Sequence, residues 1–384
     1  MADFVIIGGG VYGAGVAWAL ARQGAGVHLI EKHGIASGAS GGPGRRAIRA
    51  NGRDPRELPL MRLAYDLWPS LHAELGAPQF YERCGHLWLF ENEANQVQLF
   101  EDEASQARAK AQVWLQERHG IRSELLNAAQ VREREPRIAN TIVGAIHCPD
   151  DGLADQGATA RAYARAAEAL GATVQEGVSA AALETAQGRV TGVITSNEGR
   201  IPVGRGLLVL ANSAVADLVR PWVTLPVWNE TWQVLVSAPL ESVPFSHVLL
   251  HPGRTLHLKT EGADRIMIAG GWPAQWDEAL AKGRLLESSI AGNLADAVAV
   301  FPELEGITAE ITDASHQEAL SIDSLPVIDR LPGAENALYA TGWSGQGMAI
   351  APVVADLLAE WALTEERPAL LAPFALSRFG RGAR

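Results

Sequence analysis

Continuous apolar runs alternate with helix-like stretches at the start of the chain. Phe4-Val-Ile-Ile7 is unbroken, Val11 to Leu20 is rich in Ala, Val and Leu, and Val27-His-Leu-Ile30 is apolar again. An unbroken apolar run of this length is what a strand buried on both faces requires, so the pattern predicts strand, tight turn, helix, strand. It returns later. Ala158 to Leu170 predicts an alanine-rich helix ended by Gly171, Ala172–Glu176 a strand, and Leu207–Ala211 a doubly buried strand. Residues 190–203 predict a hairpin around Asn197-Glu-Gly199. Between these blocks, Leu58–Leu75 predicts a helix, Gly85–Phe90 a strand and 94–119 one long helix, whereas 37–53 and 137–156 read as irregular. From 221 the character changes. Val227–Val236 alternates weakly, Leu256–Lys259 and Arg265–Gly271 predict neighbouring strands, and a helix follows over about 283–300. Ala337–Thr341 then predicts a strand, and 349–363 a last helix.

The expected fold is therefore α/β plus α+β. A Rossmann-like unit formed by 1–80, 141–220 and 322–384 is interrupted by an antiparallel-sheet unit formed by 81–140 and 221–321. The 384 residues, 47% hydrophobic and 20% charged, suffice for two domains and a large core. A net charge of −12 and the lack of a basic stripe argue against nucleic acid. Two cysteines, Cys84 and Cys148, give neither a disulfide framework nor metal-ligand spacing, so no metal is expected. The first strand begins almost at once, leaving no room for a signal peptide. No apolar run approaches the ~18 residues of a membrane span. A cytoplasmic location is the expectation.

The first turn carries chemistry. Gly8, Gly10 and Gly13 form G-x-G-x-x-G between a strand and a helix. Gly8 suits the tight turn, Gly10 lets backbone approach a pyrophosphate, and Gly13 lets helix and strand pack closely. Val11 and Tyr12 open the helix, whose free N–H groups favour an anion. Glu31, 18 residues after Gly13, is placed to accept from a ribose hydroxyl, which disfavours a 2′-phosphate. NAD and FAD both satisfy these features. The glycine- and arginine-rich loop around Ser40, Gly41, Arg46 and Arg49 predicts backbone close to a flat cofactor, with Ser40 near a phosphate; the alternative is a solvated basic loop. A second glycine-rich turn, Gly342-Trp343-Ser-Gly345-Gln346-Gly347-Met348, precedes the last helix.

These two glycine segments, with Asp323-Ser-Leu-Pro-Val-Ile328, resemble the FAD-dependent amine oxidoreductases of the D-amino acid oxidase, glycine oxidase and sarcosine oxidase superfamily, over nearly the whole chain. The resemblance implies extended FAD with its ADP end on Gly8, Gly10, Gly13, Glu31 and Lys32, and Val178 beside the adenine. It places Trp343 to Met348 over the flavin, with backbone N–H groups aimed at its reducible edge. His316 falls where monomeric sarcosine oxidases carry a flavin-linked cysteine, so non-covalent FAD is expected, with a histidyl link left open. Glu318 falls where glycine oxidases use an arginine for the substrate carboxylate. Arg46 and Arg49 match an arginine pair of monomeric sarcosine oxidases, which moves the carboxylate to Arg49 and puts Arg46 near the flavin. A structural ion pair of Arg49 with an acid such as Glu57 is the alternative. Lys259 and His257 fall near a lysine that assists the reaction of oxygen with reduced flavin. The strand register leaves open which of them faces inward. Glu230, Glu318, Trp228 and Trp232 would favour an amine cation if they line the pocket; the alternative is tryptophans in the core and glutamates paired with arginines. Trp343 is a further substrate-side candidate. The implied activity is oxidation of the CH–NH bond of an amino acid or N-substituted amino acid, with hydride passing to FAD and the imine hydrolysing afterwards. The electron acceptor is O2 or a partner subunit, as in heteromeric amine dehydrogenases. A flavin-binding protein without activity is a third possibility.

Overall fold

The computed structural model of the chain describes residues 2–91, 103–197 and 199–380. Residues 94–102 of the expected 94–119 helix and Glu198 of the expected turn lie outside the described residues. The rest of that helix is Glu103–Arg118.

A six-stranded sheet runs in the order Val327–Arg330, Ala337–Thr341, Gly206–Val209, Phe4–Ile7, Val27–Ile30, Thr173–Gln175, parallel except for the first pair. Its central strands are buried throughout, as their unbroken apolar sequence demands. Alternation along each strand feeds two cores. Phe4, Ile6 and Leu208 pack beneath helices Val11–Arg22, Gln156–Ala169 and Ala351–Thr364. Val5, Ile7 and Leu207 pack beneath the antiparallel strands Ala180–Ala186, Arg189–Thr195 and Arg200–Pro202. Gly15 permits close helix packing, since a Cβ there would lie 2.9 Å from Ala355 Cβ.

A second, eight-stranded sheet has the order Ala309–Asp313, Val234–Ser237, Arg265–Ala269, Leu256–Glu261, Val248–His251, His86–Glu91, Ile142–Cys148, Glu124–Asn127. Helix Glu287–Val300 covers one face. The other face looks toward Arg45–Ile48, whose Arg45 donates to the Thr260 carbonyl at 3.0 Å.

Three expectations are corrected. Arg45–Ile48, inside the 37–53 loop, is a strand pairing with Gly152–Asp155, which in turn pairs with Tyr81–Arg83. Residues 137–156 contain two strands, and Ile142–Cys148 joins the eight-stranded sheet. The segment from 141 therefore begins with a strand of the other unit. Residues 282–284, expected at the start of a helix, form a hairpin with Gln275–Asp277.

One helical stretch among the described residues, Gly347–Thr364, is apolar and long enough to cross a membrane, with mean hydropathy 1.4. The expectation that no apolar stretch reaches this length is corrected to that extent. Fifty-six per cent of the stretch is buried, and it packs on the first helix as a core element.

Candidate functional site

A cavity of about 1020 Å³ lies where the C-terminal ends of the parallel strands meet the open face of the eight-stranded sheet. That exceeds the ~1,000 Å³ upper end of sites for drug-sized ligands, and it lies where open α/β sheets bind ligands.

At one end is the first glycine turn. Gly8 has φ +109°, and a Cβ there would lie 2.7 Å from the Leu210 carbonyl oxygen. A Cβ on Gly13 would lie 1.8 Å from the Gly8 oxygen, so only glycine lets helix and strand meet there. A Cβ on Gly10 would meet nothing within 4 Å. Gly8, Gly10, Val11 and Tyr12 line the cavity. The first helix has no side-chain cap, so its N-terminus presents free N–H groups at Gly10. Glu31 and Lys32 also line this end. The Glu31 carboxylate accepts from Gly9 N at 2.6 Å and His33 N at 3.0 Å, which fixes it beside the turn. Val178 lines the wall, but its N–H is committed to the Glu31 carbonyl at 2.9 Å.

The two glycine segments are tied together. Tyr12 Oη donates to the Gly347 carbonyl at 2.6 Å, and its ring stacks on Trp343 at 3.7 Å between centroids. Glu318, buried on the wall, accepts from Ser40 Oγ, from Asn212 Nδ2 at 3.2 Å and from Gly345 N at 2.9 Å. Burial holds its carboxyl above the usual range, with Ser40 as the main opposing influence. With three protein donors, Glu318 is a knot between loops rather than the substrate contact expected. Ser40 likewise turns its hydroxyl to Glu318 and not to the open cavity.

The expectation for the second turn also needs correction. Ser344 N donates to Ala319 O, Gly345 N to Glu318, and Gln346 N to Trp343 O, so these three N–H groups are used internally. Trp343, Gly345, Gln346, Gly347 and Met348 line the cavity. Gly342 does not: a Cβ there, at φ +73°, would meet Ser321 and Val227. Gly13 is likewise off the wall, in keeping with its packing role.

The arginine segment is ordered. Arg46 donates to the carbonyls of Ser40, Gly42 and Gly44, shaping the loop around Gly41. Arg53 donates to the Arg49 carbonyl and the Gln346 carbonyl, both at 2.6 Å, and to Glu57 at 3.0 Å. The Glu57 alternative for Arg49 is thus overturned: Glu57 pairs with Arg53. Arg49 lines the cavity, and the one hydrogen bond of its guanidinium among the described residues goes to the Asn51 carbonyl. Burial lowers its pKa to about 10.

Across from it lie His257 and Lys259. Residues two apart on a strand share a face, so both point into the cavity, and the choice between them disappears. Lys259 is 4% exposed; burial and the neighbouring Arg46 push it down to about 7. His257 is neutral, held well below the usual range by burial and Lys259, and its Nε2 has no hydrogen-bond partner among the described residues. Trp232 lines the cavity and packs on Gly345, where a Cβ would lie 3.0 Å from its ring. Glu230 and Trp228 are not on the wall. Glu230 accepts from Trp228 Nε1 at 2.8 Å and Trp232 Nε1 at 3.0 Å, so neither an arginine pair nor a substrate contact describes it. His316 is on the wall, half-buried, its pKa lowered by burial.

Asn212 escaped the sequence reading. It lies just after the strand Gly206–Val209, with φ +43° and Oδ1 buried without a hydrogen-bond partner among the described residues. Its place at the carboxyl end of a parallel strand was the available signal.

The residues present fit FAD. The uncapped helix end and the space before Gly10 suit a pyrophosphate, and Glu31 sits where a ribose would reach it. The unpartnered buried atoms Asn212 Oδ1, Gln346 Oε1 and His257 Nε2 lie along the same wall and call for a polar ligand.

Residues 3–361 match the sequence model of the family described as DAO, FAD dependent oxidoreductase. The chain is 27% identical over 387 residues to the bifunctional protein ThiO/ThiG of Trichormus variabilis, covering 99% of this chain and 56% of that protein. It therefore spans little more than half of that relative's length. It is 26% identical over 387 residues to the glycine oxidase of Geobacillus kaustophilus, covering 98% and 97% of the two chains. Among solved structures it resembles L-proline dehydrogenase from P. horikoshii, with TM-score 0.87 and 23% identity over 99% and 98% of the chains.

Proposed function

The chain belongs to the DAO family of FAD-dependent oxidoreductases, and from that premise we propose that it oxidises the CH–NH bond of an amino acid or N-substituted amino acid. The observation that carries the reading is Arg49. It is a half-buried guanidinium on the cavity wall with a carbonyl as its hydrogen-bond partner and no carboxylate in contact among the described residues. A partly desolvated cation left this way favours an anionic ligand group. The names of the glycine oxidase and L-proline dehydrogenase relatives both concern amino acids, which is in keeping with that anion being an α-carboxylate.

Bound FAD supplies the two-electron acceptor. The chain's own residues divide the remaining work. Gly8, Gly10 and the first helix end hold the phosphates, and Glu31 the ribose. Arg49 orients the carboxylate, which fixes the α-carbon relative to the wall formed by Trp343 and the second turn. Lys259, poised near neutrality, changes its proton occupancy over the physiological range. His257, neutral and unpaired, offers one donor or one acceptor to the reacting amine.

Arg49→Ala tests the reading. KM for a carboxylate-bearing substrate rises strongly while FAD content holds; an unchanged KM would rule the anchor out. Peroxide yield under air assigns the acceptor. Stoichiometric release supports an oxidase, and its absence a dehydrogenase that hands electrons to a partner protein.

A further inference from the structure

Behind Arg49, away from the cavity, lies a buried polar hub that the proposed chemistry does not use. Its centre is Asp151, fully buried in the turn between the strands Ile142–Cys148 and Gly152–Asp155. Asp151 Oδ1 accepts from Ala50 N at 2.7 Å and from Tyr65 Oη, and Oδ2 accepts from Asn51 N at 3.4 Å. The Asn51 side chain donates to the Ile146 carbonyl at 2.8 Å and accepts from Gln116 Nε2 at 3.3 Å. The two residues that follow Arg49 are thus held by their N–H groups to one carboxylate, and the Asn51 carbonyl so fixed is the acceptor of Arg49 Nη1.

We infer that Asp151 positions Arg49: its carboxylate clamps the Ala50–Asn51 backbone, and that backbone aims the guanidinium into the cavity. Charge supports the geometry. The acids whose fields favour the charged form of Arg49 are Asp151 and Glu57, and Glu57 is already paired with Arg53 at 3.0 Å. Asp151 remains as the counter-charge behind the arginine, and the cavity side is left for the ligand's anion. A backbone clamp is economical here because a long, rotamer-rich side chain loses less entropy on binding when it is already aimed.

The inference rests on the carboxylate-anchor reading of Arg49, and the experiment separates the two. Binding of propionate, and of propionamide as its neutral counterpart, is titrated by calorimetry on the FAD-loaded protein. The set comprises wild type, Arg49→Ala, Asp151→Ala, the double variant and Asp151→Asn. Arg49→Ala weakens propionate and spares propionamide; if it does not, the anchor reading itself fails. Asp151→Ala is expected to weaken propionate about tenfold with propionamide unmoved, and to add nothing to Arg49→Ala. Asp151→Asn keeps Oδ1 for Ala50 and Tyr65 but sets an amide nitrogen against Asn51 N and removes the charge, so it recovers only part of the loss and binds propionate more tightly than Asp151→Ala and more weakly than wild type. If Asp151→Ala does not accumulate, Asp151→Ser replaces it, because its shorter side chain cannot hold both backbone N–H groups. The inference is overturned if Arg49→Ala behaves as expected while the Asp151 variant binds propionate normally, loses both ligands equally, or adds independently to Arg49→Ala.

Discussion

Lys259→Met should stabilise the chain, and by an amount that depends on pH. Lys259 is 4% exposed, with no hydrogen-bond or ion-pair partner among the described residues, and burial moves its pKa from 10.5 to about 7. At about 1.4 kcal/mol per pH unit, that displacement corresponds to ~5 kcal/mol, an upper bound because buried sites relax around a charge. Below pH 7 the ammonium is present in both folded and unfolded chains, and the full cost is felt. Between pH 7 and 10.5 the unfolded chain binds a proton that the folded one does not, so wild-type stability rises with pH. Above 10.5 the cost is gone. Methionine fills a similar volume without charge, so the variant should be more stable by several kcal/mol at pH 6. By pH 9 that advantage should have shrunk by roughly 3 kcal/mol. Urea unfolding of the FAD-free protein at pH 6, 7.5 and 9, followed by tryptophan fluorescence, measures this directly. A difference independent of pH, or a variant less stable than wild type at pH 6, would refute the reasoning.

Two further predictions concern the cofactor end. Gly13→Ala would force a Cβ to 1.8 Å from the Gly8 oxygen. The helix must then separate from the strand at a cost of about 1–3 kcal/mol, and FAD content read from the ratio of flavin to protein absorbance should fall. Tyr12→Phe removes the 2.6 Å bond to the Gly347 carbonyl and leaves that acceptor buried. Thermal unfolding should report a loss of about 1–2 kcal/mol, with weaker FAD retention, because this bond joins the two glycine segments.

The cofactor end was the legible half of the molecule. A doubly buried parallel strand, a glycine turn and a following helix each leave a local mark, and Phe4–Ile7 with Gly8, Gly10 and Gly13 showed all three. The strands Arg45–Ile48 and Ile142–Cys148 left none: one is rich in arginine, and the other runs into Pro149 and a turn. The partner of Arg45–Ile48 lies more than 100 residues away in sequence, and one of the two partners of Ile142–Cys148 more than 50. The wall residues could be named, but not what each side chain does. Glu318 and Ser40 spend their polar atoms on each other, and that follows from contacts across 278 residues. Asp151 gave no signal because a backbone-clamping carboxylate has no motif. His257 and Lys259 were read as alternatives, although residues two apart on a strand share a face, and both line the cavity.

The central claim is that this chain binds FAD and uses it to oxidise amino acids at the CH–NH bond. Its most direct test is anaerobic titration of the purified, FAD-loaded protein with a panel of amino acids, N-alkyl amino acids and the corresponding amines lacking a carboxylate, scored by bleaching of flavin absorbance. The account predicts bleaching by at least one carboxylate-bearing amine, and much slower bleaching by its decarboxylated counterpart. Flavin that no member of the panel reduces, or that the carboxylate-free amines reduce equally fast, would contradict it.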